Sequence, residues 1–135
     1  MAIYATLPDL YDRFGEDEVN QITDTDETGT PDPDLIKKAS TDAASEIDAA
    51  LIARYKVPLA PVPPLVRRIA CELVWELIHL QQGNCPKAVH ELAENARRLL
   101  RDLATGILRL DVEAAEAGPV TSDARIITTK TRMEW

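Results

Sequence analysis

The sequence predicts an all-α protein: a small bundle of about four to five helices with a proline-rich corner and an extended C-terminal arm. Hydrophobic residues make up 45% of the 135 residues and aromatic residues only 4%, so the chain has enough aliphatic side chains for a core. Apolar residues recur at three- and four-residue spacing in long segments, which is typical of amphipathic helices. Four prolines between Pro58 and Pro64 prevent a helix from crossing that run. We therefore expect one helical domain over residues 1–110 and an extended arm over residues 111–135.

The first elements are two short helical segments. Thr6 and Asp9 have the spacing of a capping box, with Asp in place of the usual Glu, and Gly15 is suited to end the helix that follows. Residues 16–22 form one or two further helical turns, with Val19 and Ile22 directed inward.

The acidic loop over residues 23–33 partly matches a calcium-binding loop. Asp24, Asp26 and Thr28 stand at its first, third and fifth positions, and Gly29 stands at the sixth. The twelfth position, where calcium needs a bidentate Glu, is Leu35. We therefore favour a turn leading into a helix and predict no metal site.

The two central helices flank the proline-rich corner. Asp32 is the expected N-cap of the first, with Pro33 at the first helical position and the helix continuing to Tyr55. The second begins near Pro64 and ends near Leu80. Their apolar faces comprise Ile36, Ala39, Ala43, Ile47, Ala50 and Leu51 in the first helix, and Leu65, Ile69, Leu73, Val74, Leu77 and Ile78 in the second.

A third long helix is predicted over residues 85–105, with Asn84 as its N-cap and Gly106 after its last turn. Its apolar face comprises Val89, Leu92, Ala93, Ala96, Leu100 and Leu103. Arg97, Arg98 and Arg101 lie on or beside its outer face. Such a basic surface can contact phosphate, but in a chain of net charge −8 we favour pairing with acids of the same or a neighbouring subunit. Arg97 and Arg101 are therefore candidate interface residues.

The C-terminal arm lacks helical periodicity but is rich in β-branched residues and ends in an aromatic side chain. An apolar segment of this type orders when it contacts a groove or another chain. The candidate subunit or partner contacts are Ile126, Ile127, Arg132 and Trp135. The alternative is an arm that folds back on its own core, where Trp135 would cover an exposed apolar patch.

Charge is unevenly distributed along the chain. Residues 1–34 hold ten acidic residues and one basic residue, which gives −9, whereas residues 35–110 carry +3. Such a polarity can orient subunits head to tail, although an acidic surface that keeps the protein in solution is the simpler interpretation. The two cysteines do not form a disulfide framework, which favours a reducing cytosol, and no apolar run is long enough for a membrane span.

Catalytic chemistry is not predicted, and neither is a cofactor. The sequence has two histidines, His79 and His90, and neither belongs to a cluster of Cys and His residues with the spacing of metal ligands. It also has no glycine-rich phosphate loop. His79 on the apolar helix is expected to be a hydrogen-bonded interior or edge residue. Glu72 and Glu76 are expected at the edge of that helix, near bases such as Arg68.

Several segments together resemble the Mu-like phage and prophage neck proteins, which connect head and tail. The segments are Tyr4-Ala-Thr-Leu-Pro-Asp-Leu-Tyr-Asp-Arg-Phe-Gly15, Gln21-Ile-Thr-Asp24 with Gly29 and Asp32, Ala43-Ala-Ser-Glu-Ile-Asp48, Ala53-Arg-Tyr-Lys-Val-Pro-Leu59 and Val62-Pro-Pro-Leu65. Their order and spacing cover residues 3–110. The segment from Ala124 to Arg132 is similar to the family's closing segment, with Ile127 where an aromatic residue is common.

The resemblance implies a helical adaptor without catalytic activity that forms a ring, of twelve subunits in the assembly, between the portal protein and the tail or tail-terminator protein. It also implies a location in the virion neck, with the host cytoplasm as the site of assembly. DNA would pass through the lumen without being specifically bound, and no membrane would be involved.

Two alternatives follow from the residues themselves. A small DNA-binding or packaging-associated module would use the basic surface around Arg97 and Arg101, and its binding to duplex DNA would weaken steeply with salt. A small enzyme or metal protein would use the acidic loop, and metal in the purified protein would distinguish it.

Overall fold

The chain is all-α in the part that the structure, a computed structural model, describes: residues 3–24, 27 and 29–110. Five helices and no strand are found there, as the sequence predicts. The helices are α1 (Leu7–Phe14), α2 (Glu16–Thr23), α3 (Pro33–Leu51), α4 (Pro64–Gln81) and α5 (Lys87–Thr105). The division into a domain and an arm at residue 110 stays a prediction, since residues 111–135 lie outside the described part.

Local sequence signals set most of the helix ends. The backbone N–H of Thr6 donates to Asp9 Oδ2 at 3.0 Å, which completes the predicted capping box of α1. The Asp32 side chain accepts from the N–H of Asp34 at 3.0 Å at the start of α3. Gly15 and Gly106 have φ of +95° and +90°, and they end α1 and α5 in a conformation that glycine adopts without strain.

Two predicted boundaries are wrong. Helix α3 ends at Leu51 rather than Tyr55, because the N–H groups of Arg54 and Tyr55 both fold back onto the Leu51 carbonyl, and Tyr55 turns into the core. Asn84 does not cap α5: its N–H donates to the carbonyl of His79 at 3.2 Å and so closes α4. Pro86 occupies the N-cap position of α5 in extended conformation and offers no side-chain cap.

Helix α4 is the centre of the bundle and packs against the other four helices. Its fully buried side chains include Val66, Ile69, Ala70, Leu73, Val74 and Ile78. Two contacts show which helix ends lie together. The guanidinium of Arg54, just after α3, covers Gly106, just after α5. Arg109 and Leu110, also after α5, lie beside the start of α4. Helix α4 therefore runs antiparallel to both α3 and α5. None of the described helices combines the length and the hydropathy needed to cross a membrane.

The N-terminal segment is anchored by Tyr4, which is only 2% exposed. Its hydroxyl donates to Asp48 Oδ1 on α3 and accepts from the N–H of Leu59 in the proline corner at 2.9 Å. Burial, together with the hydrogen bond to the Asp48 carboxylate, raises the pKa of Tyr4 to about 12. One side chain thus holds three distant segments of the chain together.

Candidate functional site

Four of the six predicted interface residues, Ile126, Ile127, Arg132 and Trp135, lie outside the described residues. Their role stays a prediction. The other two, Arg97 and Arg101, lie on successive turns of α5 and have very different surroundings.

Arg97 lies in the contact between α3, α4 and α5. Its Nε donates to Glu46 Oε2 on α3 at 2.8 Å, and its Nη2 lies 2.9 Å from Glu76 Oε1 on α4. Glu94 on α5 is a third, looser partner at 3.8 Å. The ion pairs confirm the predicted pairing of this arginine with acids, here of its own chain, but its side chain is mostly covered rather than on the outer face of α5.

Glu76 is the buried half of this ion-pair network, with 3% of its surface exposed. Its second oxygen, Oε2, lies 2.8 Å from His90 Nδ1. Burial alone would raise the pKa of Glu76, but the hydrogen bonds and positive charge of Arg97 and His90 outweigh it and lower the pKa. A carboxylate with both oxygens bonded and its charged form favoured is a poor proton acceptor, so the geometry suits a cross-link between helices.

The predicted position of Glu72 and Glu76 at the edge of α4 is wrong, because both are buried. Arg68 does approach Glu72, at 3.5 Å between Nε and Oε2, as expected from their i, i+4 spacing. The other oxygen, Glu72 Oε1, has no hydrogen-bond partner among the described residues. The sequence missed this network because its members lie on three helices: Glu76 on α4, Arg97 and His90 on α5, and Glu46 on α3.

His79 is an interior residue, as predicted. Its Nδ1 lies 2.8 Å from the carbonyl of Trp75, and its ring meets the Trp75 ring edge-on at 4.6 Å between centroids. Trp75 in turn stacks on Phe14 of α1 at 4.5 Å. This aromatic group packs α1 against α4.

Arg101 is exposed, unlike Arg97. It borders a shallow groove of about 200 Å³ between α3 and α5, whose other lining residues are Glu46, Ala50, Arg97, Leu100 and Ala104. Arg101 is therefore available for a contact with another molecule.

A larger groove of about 420 Å³ lies where the proline corner meets the end of the helical body. We call it the corner groove, and its lining residues are Pro61, Val62, Pro63, Pro64, Leu65, Arg109 and Leu110. The N–H of Leu110 donates to the Tyr55 hydroxyl at 3.0 Å, which fixes one wall. The sequence indicated the proline run but not the groove, since the second wall comes from residues more than forty positions away.

In the acidic loop, Asp24 Oδ2 accepts a hydrogen bond from the N–H of Gly29 at 2.8 Å. Asp26 and Thr28 lie outside the described residues. Within the described ranges, no group of three or more His, Cys, Asp or Glu side chains is arranged to hold a metal ion.

Comparison with known proteins relates the chain to phage Mu. The family model described as "Bacteriophage Mu, Gp36" matches residues 4–128, which include all five helices and the corner groove. Gene product J of Escherichia phage Mu is 34% identical over 80 residues, which cover 58% of this chain and little more than half, 57%, of that relative. The Mu-like prophage FluMu protein gp36 of Haemophilus influenzae is 27% identical over 110 residues, covering 82% of this chain and 77% of the relative. The chain belongs to the Bacteriophage Mu Gp36 family of phage and prophage proteins.

Proposed function

We propose that this phage protein is a structural head–tail connector that forms a ring between the portal protein and the tail. The observation that carries the proposal is the ordered set of neck-protein segments over residues 3–110, in a chain that matches a phage Mu family over residues 4–128. In this role it has no catalytic function and needs no cofactor.

The contacts of Tyr4 support this use of the resemblance. Tyr4, Asp48 and Leu59 each belong to a different neck-like segment of the sequence, and the Tyr4 hydroxyl bonds to both of the others. Three of the five segments that carry the resemblance are therefore joined directly by one side chain.

The distribution of charge and apolar surface supports a ring. Residues 1–34 carry −9, whereas exposed Arg54, Lys56 and Arg109 lie around the end formed by the proline corner and the last turn of α5. Exposed Ile52 and Ile107, with 61% and 75% of their surfaces accessible, lie at that same end. A contact between two different surfaces of identical subunits is heterologous, and such contacts form a ring when the rotation from one subunit to the next closes.

In the proposed assembly, one side of the ring contacts the portal protein and the other contacts the tail or tail-terminator protein. DNA passes through the lumen and is not specifically bound, because excess negative charge repels phosphate. The protein would be located in the virion neck, after assembly in the host cytoplasm.

The decisive experiment is a stop codon early in the gene, in the phage or prophage that encodes it, followed by electron microscopy of the lysate. We expect DNA-filled heads and free tails that do not join, with tailed particles restored by the intact gene in trans. Tailed, infectious particles made without the protein would rule out the connector function.

The main alternative, a small DNA-binding or packaging-associated module, is weakened by the ion pairs of Arg97, which leave Arg98 and Arg101 as the exposed bases of that helix segment. Titration with duplex DNA at several salt concentrations separates the two functions. A DNA-binding protein gives a binding constant that falls with salt at a slope of about −0.9 per neutralised phosphate. We expect no binding at physiological salt.

A further inference from the structure

The corner groove has the properties of a peptide-binding surface. Apolar side chains form most of its lining, and Pro61, Pro63 and Pro64 contribute no backbone N–H. At Pro63 the backbone is extended, with φ −64° and ψ 147°, and the proline ring holds φ near this value before anything binds. Arg109 stands in the wall and forms no ion pair with any other described residue.

We propose that the corner groove binds the C-terminal segment of a neighbouring copy of the chain, residues 111–128. This inference rests on the proposed ring and identifies the contact that links one subunit to the next. Each copy donates its segment to one neighbour and accepts the segment of another.

The chemistry of the segment is complementary to the groove. Asp123 is suited to the charge of Arg109, since the thirteen residues that follow Leu110 up to it span about 43 Å when extended, enough to reach a neighbouring groove. Later in the segment, Ile126 and Ile127 supply apolar side chains for the proline-lined part. The family model extends to residue 128, so the whole segment lies within the part of the chain that the family model matches.

The position of Leu110 favours a neighbour as the source of the segment. Leu110 is itself part of the wall, and its N–H donates to the Tyr55 hydroxyl. To enter its own groove, the chain would therefore have to reverse direction directly after Leu110. Extended, the eighteen residues 111–128 span up to about 60 Å. A compact domain of 110 residues is roughly 35 Å across, so the same groove on a neighbour is within reach.

Disulfide trapping between full-length chains tests the proposal. All chains carry Cys85→Ser and keep the buried Cys71. One preparation adds Val62→Cys in the groove, and the other adds Ile126→Cys in the segment. After mixing and mild oxidation, we expect covalent dimers that contain one chain of each kind. The matched control replaces Val62→Cys by Leu80→Cys, an exposed position about 22 Å further along α4.

A mixed-dimer yield no higher than that of the Leu80→Cys control would overturn the proposal. So would a bond formed within one chain when both cysteines are placed in the same molecule. Adding Arg109→Glu to the groove chain should reduce the mixed-dimer yield about fivefold, as expected for reversal of one charge contact.

Light scattering on the same samples separates this proposal from the ring. Mixed dimers without closed rings would support the groove contact and contradict the connector ring. Rings that form without trapped dimers would support the connector ring and contradict the groove contact.

Discussion

The Tyr4 hydroxyl bridges a carboxylate on α3 and a backbone N–H in the proline corner, although these groups lie 44 and 55 positions away in sequence. Removing it leaves the buried N–H of Leu59 and the half-buried carboxylate of Asp48 without this partner. We expect Tyr4→Phe to lower the free energy of unfolding by about 2 kcal/mol at neutral pH, as is usual for unsatisfied buried groups. Chemical denaturation measures this change, and an unchanged midpoint would show that the bridge contributes nothing.

The raised pKa of Tyr4 also predicts a dependence on alkaline pH. The ordinary pKa is 10.0 and the pKa in the folded protein is about 12. At pH values between these two, the Tyr4 hydroxyl is deprotonated in the unfolded chain and protonated in the folded one. The contribution of Tyr4 is therefore complete below pH 10 and decreases as pH rises toward 12. The stability difference between wild type and Tyr4→Phe should shrink over this range, and a constant difference would contradict the assignment. An ultraviolet titration should lose its step near pH 12 in Tyr4→Phe.

Arg97 and Arg98 are adjacent but differ in their contacts, which makes them a matched pair. Arg97→Ala leaves the buried Glu76 carboxylate with His90 alone and should destabilise the fold by about 3 kcal/mol. Arg98 is exposed and contacts Asn95, so Arg98→Ala should change stability by no more than about 0.5 kcal/mol.

The lowered pKa of Glu76, whose ordinary value is 4.5, predicts how the destabilisation by Arg97→Ala changes at acidic pH. Its contribution is present above that value and is lost as pH falls through the lowered one. Thermal melting should therefore show the cost of Arg97→Ala diminishing in acid. Equal effects of Arg97→Ala and Arg98→Ala at neutral pH would show that the network is not structural.

Among the helices, sequence reasoning succeeded where a signal and its effect are close together. Asp32 and Gly106 act on the turn beside them, so residue type alone predicts where α3 begins and α5 ends. The prediction was wrong where a contact with a distant segment sets the local structure. At the end of α3, Tyr55 turns into the core and its hydroxyl accepts from the N–H of Leu110. The buried position of Glu76 was missed for the same reason, because its compensating contacts, Arg97 and His90, come from α5.

The central position of α4 gives a direct test of the core. Leu73 is fully buried, so Leu73→Asp places an unpaired charge among apolar side chains and should cost several kcal/mol, on the order of the stability of a small domain. Leu80 lies on the same helix with 56% of its surface exposed, and Leu80→Asp should leave the fold intact. Circular dichroism of both variants checks this, and a folded Leu73→Asp protein would refute the placement of α4.

For the molecule as a whole, the arm and the helical body are expected to act separately. Removing residues 120–135 should leave the melting temperature nearly unchanged and weaken assembly, because these residues are proposed to contact another copy. Calorimetry gives the melting temperature and light scattering gives the mass. A truncated protein that melts well below the full-length monomer would assign the arm to its own core instead.

The charge polarity of the whole chain was readable from sequence, since counting acids and bases requires no coordinates. The corner groove was not, because its walls come from Pro61–Leu65 and from Arg109 and Leu110. Only the antiparallel packing of α4 and α5 brings these two pieces together.

This construction of the groove also sets an order of events during synthesis. A ribosome releases the chain from its N-terminus, so Tyr4 must wait for Leu59, and the second wall of the groove must wait for Leu110. The proline run therefore emerges long before the surface it helps to form. A nascent or truncated subunit that lacks Leu110 has no complete groove to offer, and in the proposed ring it would be excluded until its helical body is finished.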